Sequence, residues 1–443
     1  MNTHPPTLKT IVIAGGGFAG TTLARSLEDR VPAGWQVVLL SEESYTTFNP
    51  MLAEVVGAAV FPEHVIAPIR EMVPATRFIM GRLERVDSAA RVLVCSTLAG
   101  PLEMAYDHLV LAFGQRANLT IIPGLADHAL PLKLVGDAMH IRNRLLQRLA
   151  HIELISDDQQ RRALDHFVVI GSGFSGVEVA GAVADFIRSA HRHYRRVKAD
   201  ELRVTLLHDM DRLLPELPAR LGEAAAQSLR QRGVDVRLGA RAAAVGAHGV
   251  DLVDGTRLAA DTVICTIGAR SHPLVDQLAV TTLRGRIVTE SDGQVAGRPR
   301  LWALGDCAAT VNAADRQTSP PTAQFAVAQA TQMARNLVAH IEGRTTSAFH
   351  HRSKGMMATT GHHKGVALLM GLPLTGLPAW LVWRAYYLSR MPTLGRKVRI
   401  WVEWTWSLFF PLDITHLRFT RTADLDAPVA AHASATPIQH PQP

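Results

Sequence analysis

Two short glycine-rich runs, one opening at Gly15 and the other at Gly171, constrain this chain of 443 residues more than any other feature. Ile11-Val12-Ile13 reads as a buried parallel strand. It runs into Gly15-Gly16-Gly17-Phe18-Ala19-Gly20, a helical stretch from Thr21 to Asp29, and a second strand, Gln36 to Leu40. Gly15, Gly17 and Gly20 fit G-x-G-x-x-G between strand and helix. In that arrangement the first glycine permits the tight turn, the second lets a pyrophosphate approach the backbone, and the third packs helix on strand. The helix N-terminus then offers unpaired N–H groups and a partial positive charge to phosphates. An acid is expected some twenty residues on, and Glu42 lies 22 residues beyond Gly20.

The pattern recurs. Phe167 to Ile170 reads as a strand, followed by Gly171-Ser172-Gly173-Phe174-Ser175-Gly176, a helical run from Val177 to Ile187, and the strand Arg203 to Leu207. Here His208 stands where an acid normally ends the strand. Asp209 or Asp211 could substitute, and Arg212 leaves room for a 2′-phosphate. NADH against NADPH therefore stays open. Two fingerprints imply two dinucleotides, most economically a flavin and a nicotinamide. A third element supports the flavin: Leu301 to Leu304 reads as a strand ending in Gly305-Asp306, where the carboxylate suits a ribityl chain. It comes back after the second nucleotide unit, where a split flavin domain should close. The expected fold is α/β: two Rossmann-like dinucleotide-binding domains, the FAD domain split by an inserted NAD(P) domain, then a C-terminal membrane-associating helical segment.

Charge locates that last segment. The chain carries 46 Lys+Arg against 39 Asp+Glu, a net +7. Residues 350–421 hold ten Lys/Arg and only the acids Glu403 and Asp413, which leaves the body near neutral. Five of the seven tryptophans fall between 380 and 406. Nucleic-acid binding is not expected from a basic excess confined in this way; tryptophan and tyrosine beside basic residues suit a lipid headgroup boundary. Val366 to Trp383 is a charge-free run of 18 residues, but Gly371, Pro373, Gly376 and Pro378 should break it, with a helix from near Pro378. A second helix is expected from Val398 to Phe410. Packing on the core or a homodimer interface is the competing use of these aromatics.

These elements together resemble the pyridine-nucleotide disulfide oxidoreductase superfamily, and further runs resemble its type II NADH:quinone oxidoreductases. Tyr45-Thr46-Thr47-Phe48-Asn49-Pro50-Met51-Leu52 looks like that family's flavin-contacting loop. Tyr106 to Gly114 resembles its YDxLVxAxG strand, with Phe113 replacing the usual threonine. Leu132-Lys133, Asp137-Ala138 and Arg142 resemble its connector helix, and Gly173 to Gly181 is similar to its GxxGVExAG. Ser319 to Gln324 resembles its PPTAQ helix start, where Pro320-Pro321-Thr322 suits a first turn. Phe349 to Gly361 and the tryptophan-rich end resemble its C-terminal domain.

The resemblance implies an FAD-dependent NAD(P)H:quinone oxidoreductase that pumps no protons. It divides the chain into an FAD domain (8–125 and 295–343), an NAD(P)H domain (160–290), a membrane-association or dimerisation domain (344–421) and a disordered tail (422–443). FAD and nicotinamide contacts are expected at Gly15, Gly17, Phe18, Ala19, Gly20, Glu42, Phe48, Asn49, Pro50, Ala112 and Gly114. Further contacts are expected at Gly171, Gly173, Phe174, Ser175, Gly176, Gly268, Gly305, Asp306, Ala323 and Gln324. The resemblance marks Glu178, counted as first-turn on its helix, as a nicotinamide contact or proton relay. It marks Lys354 and Gln324 as quinone-side residues.

Several departures stand out. Ser41 sits where the ribose acid is common, so Glu42 would act from the next position. Ala328 sits where a second glutamine is common, with Gln329 one step later. Cys95, Cys265 and Cys307 form no close pair, which disfavours disulfide and sulfide chemistry. A sulfide:quinone or other flavoprotein reductase, and a slow membrane-associated redox sensor, are the alternatives. His350-His351 and His362-His363 lack Cys or carboxylate partners for a metal site, and none is expected. The polar, Pro-containing Met1 to Lys9 carries no secretory pattern. The expected address is the cytoplasmic face of a bacterial inner membrane, as a monotopic protein on anionic lipid.

Overall fold

The computed structural model describes residues 8–417. The Ala/Pro/His-rich tail expected to be disordered lies outside the described residues.

A seven-stranded sheet runs in the order Leu301–Ala303, His108–Leu111, Lys9–Ala14, Trp35–Ser41, Arg77–Asp87, Val92–Thr97 and Gly100–Ala105. Its first five strands are parallel, and the last two fold back as an antiparallel meander. Ile11, Val12 and Ile13 are fully buried, as a parallel strand covered on both faces requires. One face carries the helices Phe18–Leu27 and Ala323–Ile341, packed against each other. The strand Leu301–Ala303 joins this sheet only after the second sheet has been completed, so the first unit is discontinuous in sequence.

The second sheet has five parallel strands in the order Ala129–Pro131, Thr262–Cys265, His166–Ile170, Arg203–Leu207 and Val234–Arg237. In both sheets the strand before the glycine run lies between neighbours reached in opposite directions. This is the topological switch point, outside whose carboxyl end open α/β sheets bind ligands. A two-stranded ribbon, Arg116–Ala117 with Ala269–Arg270, ties the chain leaving one unit to the chain leaving the other.

The charge-free run of the C-terminal unit breaks where its glycines and prolines sit. Strands Gly355–Thr359, Gly365–Leu369 and Leu372–Gly376 form an antiparallel meander. Met370 and Gly371, both with positive φ, make the two-residue turn between the last two strands. Pro378 lies in the first turn of the helix Leu377–Arg390. The last helix covers Leu394–Trp406 rather than Val398 to Phe410, because Thr393 caps it by accepting from the Arg396 N–H.

That helix docks by one face. Ile400 and Trp404 are buried, and Glu403 accepts from the Phe61 N–H at 3.1 Å and meets His64 Nδ1 at 2.9 Å. Val398, Trp401, Val402 and Trp406 are exposed on the other face, continuing into Phe409 and Phe410. Core packing accounts for three of these aromatics: Trp380, Trp383 and Trp404 pack inward, while Trp401 and Trp406 are exposed. One hydrophobic core runs through all three units, from Met51 and Val55 through Val177 and Val179 to Trp383 and Trp404. Ile400→Ala should destabilise the docked helix by about 2–5 kcal/mol, and Val398→Ala by under about 0.5 kcal/mol. Limited proteolysis of residues 391–417 as a function of denaturant measures the difference.

Candidate functional site

The two glycine runs have the same geometry. Gly15 has φ +121°, and a Cβ there would meet the Ala112 carbonyl oxygen at 2.4 Å. A Cβ on Gly20 would lie 1.8 Å from the Gly15 oxygen, so helix and turn touch backbone to backbone. Gly17 differs: a Cβ there would meet nothing within 4 Å. The second run repeats the positive φ, the helix-to-turn contact and the open middle position, though a Cβ on Gly171 would meet the Ile267 and Thr266 side chains and not a carbonyl. Gly171 has φ +107°, Gly176 would place a Cβ 1.7 Å from the Gly171 oxygen, and Gly173 faces open space. Gly17 and Gly173 are the N-caps of their helices, and neither cap carries a side-chain hydrogen bond. Two helix N-termini therefore present backbone donors over an unobstructed surface, the arrangement that receives a phosphate.

Around the first run lie most of the other candidate residues. Ala112 donates its N–H to the Ala14 carbonyl, and Gly114 follows with φ +65°. Asp306 is half-buried after the strand Leu301–Ala303, and no protein donor among the described residues reaches its carboxylate. Burial pushes its pKa up, against the pull of Lys133 and Arg286. Gly305 packs on Ala19 and Ala326 with φ +72°, and its N–H donates to Gln329 Oε1 at 2.7 Å. Gln329 therefore braces the Gly-Asp turn and cannot stand in for the missing second glutamine at Ala328. Phe48 is buried, edge-on to Phe18 at 5.5 Å, while Asn49 and Pro50 form the next turn and Asn49 donates to the Lys133 carbonyl. Ala323 and Gln324 open the helix Ala323–Ile341. Thr322 is its N-cap, so Pro320 and Pro321 precede the helix instead of forming its first turn.

Glu42 follows the strand Trp35–Ser41 half-exposed, its Oε1 paired with Arg116 Nη2 at 2.8 Å. That leaves Oε2 without a protein donor among the described residues. Gly268 reaches φ +82° beside the Asn118 carbonyl, so a packing contact of the inter-unit ribbon already explains it. Phe174 is half-buried and Ser175 exposed at the start of the second fingerprint helix. His208 is nine-tenths buried, with Nδ1 3.3 Å from Asp209 and Nε2 unpartnered; burial pushes its pKa down. Lys354 is exposed, next to the C-terminal meander.

Glu178 requires a correction. The helix begins at Phe174, before the third glycine, so Glu178 lies beyond its first turn and the helix N-terminus does not account for it. Its carboxylate is buried instead. Oε1 accepts from the Thr359 N–H at 3.2 Å and from Trp383 Nε1 at 2.9 Å, both in the C-terminal unit. Gly181, one turn later, admits that contact: a Cβ there would sit 2.5 Å from the Thr360 carbonyl carbon. Burial pushes the Glu178 pKa up to about 8, with the nearby Glu54 adding to the rise.

Sequence reasoning missed the surroundings of this acid. Glu54, on the short helix Leu52–Val56, accepts from Trp404 Nε1 at 3.1 Å. Arg384 is buried between Trp380 and Trp404, its guanidinium carbon 3.8 and 4.7 Å from the two ring centroids. Tyr387 spans Phe48 and Trp383, at 5.9 and 4.7 Å between rings. An acid in an otherwise apolar helix and an arginine in an aromatic one were the available signals. His362 and His363 meet Trp380 edge-on. The three thiols are buried separately, and burial pushes Cys307 up to about 12.

The profile of the pyridine nucleotide-disulphide oxidoreductase family matches residues 9–330. The type II NADH:quinone oxidoreductase Ndh of Mycobacterium tuberculosis is 28% identical over 421 residues, covering 91% of this chain and 88% of that protein. The mitochondrial internal alternative NAD(P)H-ubiquinone oxidoreductase A1 of Solanum tuberosum is 29% identical over 441 residues, covering 92% and 88%. Among solved structures, NDH2 from Plasmodium falciparum in complex with NADH superimposes with a TM-score of 0.85 at 17% identity, over 92% of this chain and 99% of that one. The match of fold is therefore nearly end to end, and its fingerprints fall inside the span of the family profile. The chain belongs to the pyridine nucleotide-disulphide oxidoreductase family.

Proposed function

We propose that this chain is an FAD-dependent NAD(P)H:quinone oxidoreductase of the type II kind. The observation that carries the reading is the duplicated glycine geometry: two open helix N-termini, at Gly17 and Gly173, on one chain. The relatives named for quinone reduction match across both units and beyond them.

FAD fits the first unit. Gly17 leaves room for the pyrophosphate, and among the described residues neither Glu42 Oε2 nor the Asp306 carboxylate has a protein donor, which suits ribose and ribityl hydroxyls. Bound FAD would supply two-electron chemistry, accepting hydride from the nicotinamide and passing electrons to the quinone. The protein's own work is orientation and charge. The N-terminus of the helix Ala323–Ile341 stabilises nearby negative charge by roughly 0.3–1 kcal/mol. The second unit would take the nicotinamide nucleotide over Gly173, with Phe174, Ser175 and Gly176 in the same turn. His208 carries no formal charge at neutral pH, since burial lowers its pKa. It neither repels a 2′-phosphate as an acid would nor attracts it as a cation would. Lys354 and Gln324 belong to the quinone side in this reading, and Gln324 is half-buried with its amide free of protein partners among the described residues.

No helix among the described residues is long and apolar enough to cross a membrane. The outward face of the last helix, with Trp401, Trp406, Phe409 and Phe410 beside Arg396, Lys397 and Arg399, suits a helix lying in the headgroup region of anionic lipid. In a bacterial cell that surface would be the cytoplasmic face of the inner membrane. A homodimer through part of this face is the competing use. Sulfide chemistry is not favoured, since each thiol is buried and burial raises the pKa of all three.

Anaerobic mixing of the purified chain with NADH should bleach the flavin absorbance, and a quinone should restore it. Bleaching by sulfide alone would overturn the reading. Gly17 has an extended backbone that alanine adopts freely. Gly17→Ala should therefore fold but purify with little flavin, whereas Gly173→Ala should keep its flavin and show a raised KM for NADH; absorbance spectra and steady-state kinetics separate the two. In vesicle co-sedimentation, Trp401→Ala with Trp406→Ala should weaken binding to anionic vesicles at least about tenfold. Turnover with a water-soluble quinone should persist in that variant.

A further inference from the structure

Arg384 is a buried cation without a partner. It is 9% exposed, yet among the described residues its guanidinium makes no hydrogen bond or ion pair, and its Nε is enclosed with no acceptor. Two indoles hold it instead, the Trp380 and Trp404 ring centroids lying 3.8 and 4.7 Å from the guanidinium carbon. Burial lowers its pKa only to about 10, so the charge persists at neutral pH. Ring faces attract a cation, but they offer no oxygen to its five N–H groups.

The acids nearby are engaged elsewhere. Glu54 is the carboxylate whose charge reaches Arg384, and it accepts from Trp404 Nε1 without forming an ion pair to the guanidinium. Asp185 pairs with Arg232, and Glu178 accepts from the Thr359 N–H and from Trp383 Nε1. His362 and His363 meet Trp380 from the meander. Burial first, then neighbouring cations including Arg384, holds both rings below their usual pKa, so neither supplies an anion or a second cation at neutral pH. An unmatched buried donor is costly, and a charged one more so.

The open side of the guanidinium decides what can match it. Nε alone is shut off from the surface; both Nη groups, also without protein partners among the described residues, keep some contact with it. A planar fork of this kind pairs with two oxygens of one phosphate, which the point charge of a lysine does not. Leu381 and Leu377 precede Arg384 by three and seven residues, so they share its side of the helix Leu377–Arg390, and both are exposed. A free phosphate ion makes no use of such leucines. A phospholipid does, because its acyl chains continue from the phosphate into apolar contact.

We infer that Arg384, held against Trp380 and Trp404, binds the phosphate of one phospholipid molecule whose acyl chains lie along Leu377 and Leu381. This rests on the lipid-surface reading of the C-terminal unit given above and goes beyond it. That reading needs only exposed aromatics and a diffuse basic charge on the last helix. The Arg384 site lies on the preceding helix and takes a single headgroup in a fixed geometry.

Dihexanoylphosphatidylglycerol, kept monomeric, tests the site by titration calorimetry on the flavin-loaded full chain. The wild type should bind it. Arg384→Met, whose unbranched stem keeps packing against the indoles, should bind at least about tenfold more weakly. Arg384→Lys, which keeps the charge and loses the fork, should fall between the two. Flavin content and far-ultraviolet circular dichroism check that the variants fold. Superimposable wild-type and Arg384→Met titrations overturn the site, as does a wild type that binds nothing, and an Arg384→Lys titration equal to the wild type overturns the fork. Dihexanoylglycerol bound as tightly as the phospholipid overturns phosphate recognition. Inorganic phosphate bound as tightly overturns the lipid as its source. Because the probe is monomeric, the result is separate from vesicle attachment: a chain that ignores anionic vesicles but binds the probe through Arg384 overturns the lipid-surface reading and keeps the site.

Discussion

Backbone against backbone is the contact on which both nucleotide units depend. In each unit the third glycine of the run lies so close to the carbonyl of the first that a methyl group would overlap it. This draws the helix down onto the turn and aims its unpaired N–H groups past the middle glycine into open space. A side chain at either contact position would push the helix away and misdirect the donors. The sheets, with their buried Ile, Val and Leu strands, supply the rigid edge from which these turns rise. The same device stands in two places on one chain, and the ribbon Arg116–Ala117 with Ala269–Arg270 ties the segments that connect the two units.

The C-terminal unit completes the molecule by filling the seam between those two. Gly181 permits the Thr360 backbone to approach the second fingerprint helix, and Glu178 takes the adjacent Thr359 N–H. Tyr387 reaches Phe48 of the first unit and Trp383 of its own helix. The meander and helix pair therefore do more than cover the ends of the two nucleotide units. They close a polar cluster that neither nucleotide unit contains alone, beside the apolar core that runs through all three units.

What could be read from the sequence was whatever is encoded within a few residues. A strand, three glycines and a helix are contiguous, and their spacing carries the geometry directly. The break in the charge-free run was visible for the same reason, since Gly371 and Pro378 act on their own backbones. The junction cluster was not visible, because its members come from three distant segments and each looks ordinary locally. Glu54 sits in what reads as an apolar stretch, and its partner indole lies far along the chain. Gln329 looked available to a substrate until packing showed its amide oxygen turned to Gly305. Glu178 was assigned to the first turn by counting from the last glycine, whereas the helix starts at Phe174, ahead of that glycine.

The last helix puts Trp404 and Trp401 within one turn of each other on neighbouring stripes, one buried and the other exposed. One indole grips an acid in the interior, and the other stands in whatever medium surrounds the protein. Seating the outer face and holding the inner acid are thus a single mechanical event, with the helix as its lever. Whatever covers Trp401 therefore bears on the same rigid helix that holds Glu54, and neither indole can shift without the other.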